Sequence, residues 1–294
     1  MRKDLFIRGE FALSMLIFGT IALFVRGVAL SSAEIALSRA VLAAALVGLY
    51  LLLRKTNPVK GVKRKDLLLL LLSGAAMGFN WILLFESYRY TTVSLATLCY
   101  YFAPTIVTLL SPILFRERMS ARGALCFIAS TAGLVLIVGV SGGGGSNDLV
   151  GILFGLGAAA LYATVMLLNK SIDSVSGLSR TFLQFLAAIV VLLPYVLLTS
   201  GLHVGTLNTK GLVALLVVGL VHTGITYCMY FSSLWQLRGE EAALLSYIDP
   251  LIAVFVSVAF LDEPITAWQI VGGALILGAS LASELKFGRK KSKV

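Results

Sequence analysis

The chain has 294 residues, of which 59% are apolar and 13% charged, with a formal net charge of +10 and a mean hydropathy of +0.95. Soluble domains hold roughly 45–50% apolar and about 25% charged residues. This composition therefore argues against a soluble enzyme, whose surface would be one large apolar patch, and it excludes disorder.

Ten apolar runs follow one another, near 10–30, 34–53, 66–89, 92–115, 120–140, 150–170, 178–199, 210–234, 240–261 and 266–286. Each is close to the roughly 20 residues of a membrane-spanning helix. The runs do not alternate polar and apolar residues as barrel strands do. Met1 to Arg8 is basic and no small-residue cleavage site follows it, so the first run reads as a retained helix rather than a signal peptide. Only Tyr90–Thr92 separates the third run from the fourth.

Charge placement supports that split. With the N-terminus in the cytoplasm, nearly all of the 24 Lys and Arg residues fall in cytoplasmic segments. The outer loops hold Arg26, Arg89 and Lys210, and Arg39 lies within the second span. The positive-inside rule then predicts two cytoplasmic termini in a plasma or bacterial inner membrane. It also accounts for the basic pI without nucleic acid. Lys60–Lys65 reads as a topology signal that can also touch anionic lipid. Cys99, Cys126 and Cys228 are far apart inside apolar runs and read as packing residues.

The halves resemble each other. Residues 78–137, shifted by 146, fall on 224–283 without a gap. Pro104 lands on Pro250, Tyr101 on Tyr247, Glu117 on Glu263 and Phe85 on Phe231. At nearly the same offset Arg26 falls near Lys170 and Arg39 near Gln184. Five spans per half is odd, so the second half enters from the opposite side. The expected fold is an all-α integral membrane protein of ten transmembrane helices in two inverted five-helix repeats. The repeats are 1–140 and 150–286, joined by a Gly-rich extracellular linker at 141–149 and followed by a basic cytoplasmic tail at 287–294. Inverted repeats are common in secondary transporters, with the site near the midplane between the halves.

The segment from Phe85 through Ala96 to Pro104 and Arg116-Glu117-Arg118 resembles the EamA repeat. So does Tyr247-Ile-Asp-Pro250, followed by Leu261-Asp-Glu263-Pro and Gly272, with Phe18-Gly19 and Arg39 as further points of likeness. The resemblance covers nearly the whole chain. It implies the drug/metabolite transporter superfamily, whose members carry amino acids, related metabolites or drugs and are often exporters. The first half departs from the second in having Ala103 where the second has Asp249.

A charge inside the bilayer costs about 2.5–3.5 kcal/mol on insertion scales and is a functional hypothesis by default. Asp249 lies near the middle of the ninth span, just before Pro250. Proline removes a backbone donor there, and an acid beside the break can bind a substrate amine or a proton. Its plainer role is packing, satisfied by Arg39 or a tyrosine. Arg39 can meet a substrate carboxylate, although an ion pair with Asp249 or Glu86, or snorkelling to the outer surface, weighs more on the sequence alone. Asn80 corresponds to Thr226 and Trp81 to Tyr227, a polar-aromatic pair on each of two related helices that suggests a lined cavity. Tyr100, Tyr101 and Tyr247 precede the helix-breaking prolines Pro104 and Pro250, and Tyr162 is a further candidate. His222 can relay protons, though helix packing explains it more simply. Glu86 with Arg89 reads as a rim pair, and Glu34, Glu117 and Glu263 as structural helix-end acids.

No HExxH, GxSxG or Walker motif occurs, which argues against an enzyme and an internal ATPase. No cofactor or metal is expected. The reading is a secondary active or facilitative transporter working by alternating access, exporting amino acids or related metabolites, with protons as a candidate coupling ion. A flippase-like lipid-handling protein or a drug efflux carrier is the alternative. Small-residue spacings (Gly74/Gly78, Gly151/Gly155, Ala274/Gly278/Ala282) allow close helix approach and admit a homodimer contact on the last span.

Overall fold

A computed structural model describes residues 2–115, 120–141, 146–175, 177–234 and 236–284. Among these residues the regular structure is helical throughout. α1 (Arg2–Gly19) and α2 (Ile21–Val25) are followed by α3 (Ser32–Leu53) and α4 (Arg64–Tyr90). Next come α5 (Val93–Tyr100), α6 (Ala103–Phe115) and α7 (Ala121–Ser141), then α8 (Ser146–Lys170) and α9 (Gly177–Thr199). A short 3-10 turn (Val204–Thr206) leads to α10 (Thr209–Leu216), a π-helical stretch (Val217–Ile225) and α11 (Thr226–Leu234). α12 (Gly239–Ser246), α13 (Ile248–Phe260) and α14 (Ala267–Glu284) complete the described chain.

Among the described residues, seven segments are long and apolar enough to cross a membrane: Leu5–Val25, Ser32–Leu53, Arg64–Tyr90, Val93–Phe115, Asp148–Lys170, Gly177–Thr199 and Thr209–Leu234. Ala121–Ile137, Leu244–Phe260 and Ala267–Ser283 are shorter apolar helices. The first span is displaced toward the N-terminus from the expected 10–30. Its helix tolerates Arg8 and Glu10 because Arg8 pairs with Glu241 at 2.6 Å and Glu10 accepts a hydrogen bond from Ser232. Helix α8 begins inside the expected linker, where Asp148 in its first turn favours the N-terminal end of the dipole and accepts a hydrogen bond from Thr91 at 2.7 Å. Arg116, Glu117, Arg118, the glycines 142–145 and the tail 287–294 lie outside the described residues.

Local sequence sets the helix ends. Ser31 and Glu34 form a capping box at the start of α3. Glu34 also accepts from the backbone N–H of His203, which ties that end to the segment after α9. Two apolar segments are interrupted rather than continuous, at Tyr101–Phe102 between α5 and α6 and at Tyr247 between α12 and α13. Pro104 and Pro250 fall in the first turn of the following helix, where a missing N–H is least costly.

Helix α4 packs against α3, α8 and α9, and α3 also against α9 and the π stretch. Helix α1 packs on α11 and α13, α5 on α8 and α13, and α7 on α14. The α7–α14 contact depends on Gly133 and Gly272. A Cβ on either would lie 2.5 Å or 2.6 Å from the other's carbonyl oxygen. Gly74 and Gly78 face α9, and Gly151 and Gly155 face the α4–α5 corner, but nothing lies within 4 Å of a Cβ on Gly278.

Candidate functional site

The packing leaves a cavity of about 420 Å³ between the helices. Every segment from α1 to α6 borders it, as do α8, α9 and α11 to α13, whereas no residue of α7, α10 or α14 does. Its wall is aromatic. Tyr100 stacks on Tyr162 with centroids 5.2 Å apart, and Tyr101 lies 6.2 Å from Tyr247. Phe18 and Phe185 meet Tyr227 edge-on at 5.2 Å and 5.5 Å.

Among the described residues, Asp249, Arg39 and Arg180 are the charged side chains that line this space. Asp249, in the first turn of α13, accepts a hydrogen bond from the Tyr101 hydroxyl at 2.7 Å. The two helix interruptions thus meet: the tyrosine at the first is bonded to the acid at the second. Gly19 makes room for this corner, since a Cβ there would lie 2.6 Å from the Asp249 carbonyl oxygen. Arg39 is 5% exposed on α3. Its Nε donates to Thr223 Oγ1 at 2.7 Å, and its guanidinium carbon sits 4.2 Å above the Trp81 ring. Among the described residues no acid lies within ion-pair distance of Arg39 and no base within that of Asp249. The expected pairing of Arg39 with Asp249 or Glu86 is therefore not formed, and its burial excludes snorkelling. Glu86 pairs instead with Arg89 at 3.2 Å on the rim.

Asn80, Trp81, Tyr100, Tyr101, Tyr162, Tyr227, Tyr247, Asp249, Arg39 and Pro104 all border the cavity. The Asn80 side-chain amide donates to the Ala158 carbonyl at 2.6 Å and so also holds α4 to α8. Thr226, His222 and Pro250 do not border it. Thr226 is buried and its hydroxyl bonds back to the Val221 carbonyl at 2.7 Å. His222 turns to the α1–α2 junction, with Nε2 3.1 Å from Thr20 Oγ1, Nδ1 3.2 Å from the Val217 carbonyl and its ring 5.0 Å from Phe24. Pro250 is buried in α13.

Sequence reasoning did not single out several lining residues. Tyr88 lies near the end of α4, while Asn169, Arg180 and Gln184 stand at the opposite end of the cavity. Gln184 donates to Ser73 Oγ at 2.6 Å and to Asn169 Oδ1 at 2.8 Å. Arg180 donates to the carbonyls of Val175, Ile172 and Asn169 and so shapes the α8–α9 connection. Gln184 carried a readable signal, because the repeat sets it near the counterpart of Arg39. No cluster of His, Cys, Asp and Glu able to hold a metal occurs among the described residues.

Beyond Tyr88 a polar cluster fastens the other end. Arg26, just past α2, pairs with Glu263 and donates to the carbonyls of Tyr88 and Thr91 at 2.8 Å and 2.9 Å. Glu263 accepts the Val93 N–H at 2.7 Å and the Ser257 hydroxyl, while the Ser94 N–H donates to Ser257 Oγ at 3.2 Å. A carboxylate from the α13–α14 connection thus caps the first N–H of α5, and the Ser257 hydroxyl caps the next. Asp262, at φ 51°, makes the turn that aims Glu263 inward.

The sequence matches the EamA-like transporter family over residues 10–139 and 149–283. The chain belongs to that family. A Bacillus subtilis (strain 168) transporter, YxxF, is 29% identical over 97% of this chain and 91% of its own length. The threonine/homoserine exporter RhtA of Escherichia coli (strain K12) is 26% identical over 50% of this chain and 49% of its own. A crystal structure aligns with a TM-score of 0.62 over 96% of both chains at 18% identity, a likeness of fold alone. Family membership and the apolar helices together make this a multi-pass membrane protein with a small-molecule substrate.

Proposed function

We propose that the protein is a secondary transporter of amino acids or closely related metabolites, working by alternating access and exporting them from the cell. The observation that carries this is the aromatic cavity holding Asp249 and Arg39 apart, each without an ionic partner among the described residues. Arg180, the other base on the wall, is engaged by three backbone carbonyls, so an acid, an arginine that no carbonyl engages and an aromatic wall are left to suit a small zwitterion. The likeness to a threonine/homoserine exporter over half of the chain supports the same class.

The proposed frame is ten transmembrane helices in two inverted repeats, with both termini cytoplasmic. Packing supports it, because α8 lies on α4 and α6 as α1 lies on α11 and α13, while α3 meets α9 and α7 meets α14. Exchanging the shapes of the two halves leaves such a pattern intact and opens the opposite face. Arg26, the Tyr88–Val93 corner and Glu263 all fall on the outer side in this frame. Their cluster is then an outer latch between the halves, and the cavity leads inward past Asn169, Gly177 and Arg180. Asp249 binds the substrate ammonium or a coupling proton.

Counterflow in proteoliposomes tests the reading. Vesicles are loaded with one unlabelled amino acid at a time and entry of its labelled form is followed at two pH values, against empty liposomes. Trans-stimulated entry for a subset of amino acids is expected. Absence of counterflow across the panel, from monodisperse protein, overturns the amino-acid assignment in favour of drugs or lipids.

A further inference from the structure

Arg39 is held in a way that packing does not explain. A guanidinium has five N–H donors in one plane. Only Nε finds an acceptor among the described residues, the Thr223 hydroxyl at 2.7 Å. That hydroxyl gives its own proton to the Val218 carbonyl at 2.8 Å, so it can only accept from Arg39. The donation to Val218 spans five residues, as the π-helical stretch requires. One face of the guanidinium lies 4.2 Å over Trp81, and Phe85 stands 5.7 Å away. Plane and rotation are thereby fixed, while the Nη1 and Nη2 edge has no acceptor among the described residues and the side chain borders the cavity. The residue is 5% exposed, and the little surface it shows borders the cavity.

An oriented, uncompensated fork of N–H donors matches a planar carboxylate through two parallel hydrogen bonds. We infer that Arg39 is the specificity-determining residue of the cavity and admits substrates by their carboxylate group, with Thr223 as the residue that positions it. The inference rests on the reading of the cavity as the substrate site, and it narrows that site to carboxylic acids. Asp249 occupies a separate part of the wall, with no ion pair to Arg39, so the two ends of a zwitterion have separate partners. The counterpart position in the repeat carries the neutral Gln184, whose amide is already bonded to Ser73 and Asn169. The site therefore reads a carboxylate in one orientation only.

The test uses purified full-length protein in nanodiscs and two kinds of readout. The first is thermal stabilisation by propionate and benzoate compared with propionamide and benzamide at matched ionic strength. The second is counterflow of each accepted amino acid, competed by its methyl ester and by the decarboxylated amine. Wild type is expected to prefer acid to amide or ester by about thirtyfold, the scale of losing one partner of a buried charge-assisted pair. Arg39→Gln is expected to lose that preference while still binding the decarboxylated amine, which shows that the variant is folded. Thr223→Val is expected to raise KM for the acid several-fold with kcat little changed, and Thr223→Ser to restore it. An Arg39→Gln protein that still prefers acid to ester overturns the inference, as does a wild type stabilised equally by propionate and propionamide. Failure of counterflow leaves the stabilisation readout intact, so the amino-acid assignment and the role of Arg39 fail separately. If Arg39→Gln does not fold, the Thr223 pair decides: equal KM in Thr223→Val and wild type overturns the inference.

Discussion

Replacing Glu263 by Gln keeps the size of the side chain and removes its charge. The Gln oxygen can still accept from the Val93 N–H and the Ser257 hydroxyl, which share one carboxylate oxygen, but an NH2 group then faces Arg26. The variant loses the charge in its contacts with Arg26, Ser257 and Val93 and places donor against donor at one of them. Hydrogen bonds to charged groups each contribute a net 1.5–3 kcal/mol or so. The Glu263 side chain is 9% exposed and that of Arg26 31%, so solvent recovers part of the loss on the arginine side only. A cost of about 2–3 kcal/mol to the latched state follows, a shift of roughly 30- to 150-fold at about 1.4 kcal/mol per factor of ten. A latched state favoured a hundredfold would fall to near parity. The assay places a single cysteine at Thr97, which borders the cavity, in a protein lacking Cys99, Cys126 and Cys228. An impermeant thiol reagent added from the outer side should modify Thr97→Cys about 20 to 60 times faster with Glu263→Gln than without it. Arg26→Gln should act likewise, and the double variant should add little, because both remove one interaction. A labelling rate within threefold of the parent, or strictly additive effects, would refute the latch.

Three further outcomes follow. Asp249→Asn should fold, elute as a single species and lose transport, or lose its response to pH, because a neutral amide neither binds a proton nor pairs with an ammonium. Full transport with an unchanged pH response removes Asp249 from the mechanism. Gly133→Leu should lower stability by about 1–3 kcal/mol through overpacking at Gly272, whereas Gly278→Leu should leave Tm unchanged because no atom lies within 4 Å of that position. Met166→Cys, which borders the cavity near Asn169, should react with an impermeant thiol reagent in inside-out vesicles several times faster than in right-side-out ones. The reverse preference would invert the proposed orientation.

Local and doubled features were readable in the sequence. The Tyr101–Pro104 and Tyr247–Pro250 segments interrupt their helices because proline chemistry acts within one turn, and the offset of 146 marked them as a pair. Asp249 and Arg39 stood out as charges in apolar runs. The partners of Arg39 were not readable, because they depend on the π-helical stretch. A π turn bonds five residues apart where an α turn bonds four, so a face assigned with the ordinary period drifts along Val217–Ile225. That drift delivers Thr223 to Arg39 and carries His222 and Thr226 off the cavity. Tyr88, Asn169 and Arg180 reach the wall through tertiary packing alone, and no spacing in the chain announces them.

On the proposed reading, symmetry and asymmetry do different work. The backbone pairs its halves so that either end can close at similar cost, which rocking requires. The charges break that equivalence: Asp249 answers to Ala103, and Arg39 to the already bonded Gln184. Ala103 is buried with Ala159 and Ala163 off the cavity wall, and Gln184 is held by Ser73 and Asn169, so neither counterpart position presents a charge to the substrate. With Arg180 engaged by backbone carbonyls, Asp249 and Arg39 let the frame exchange its shapes while the substrate keeps one set of partners.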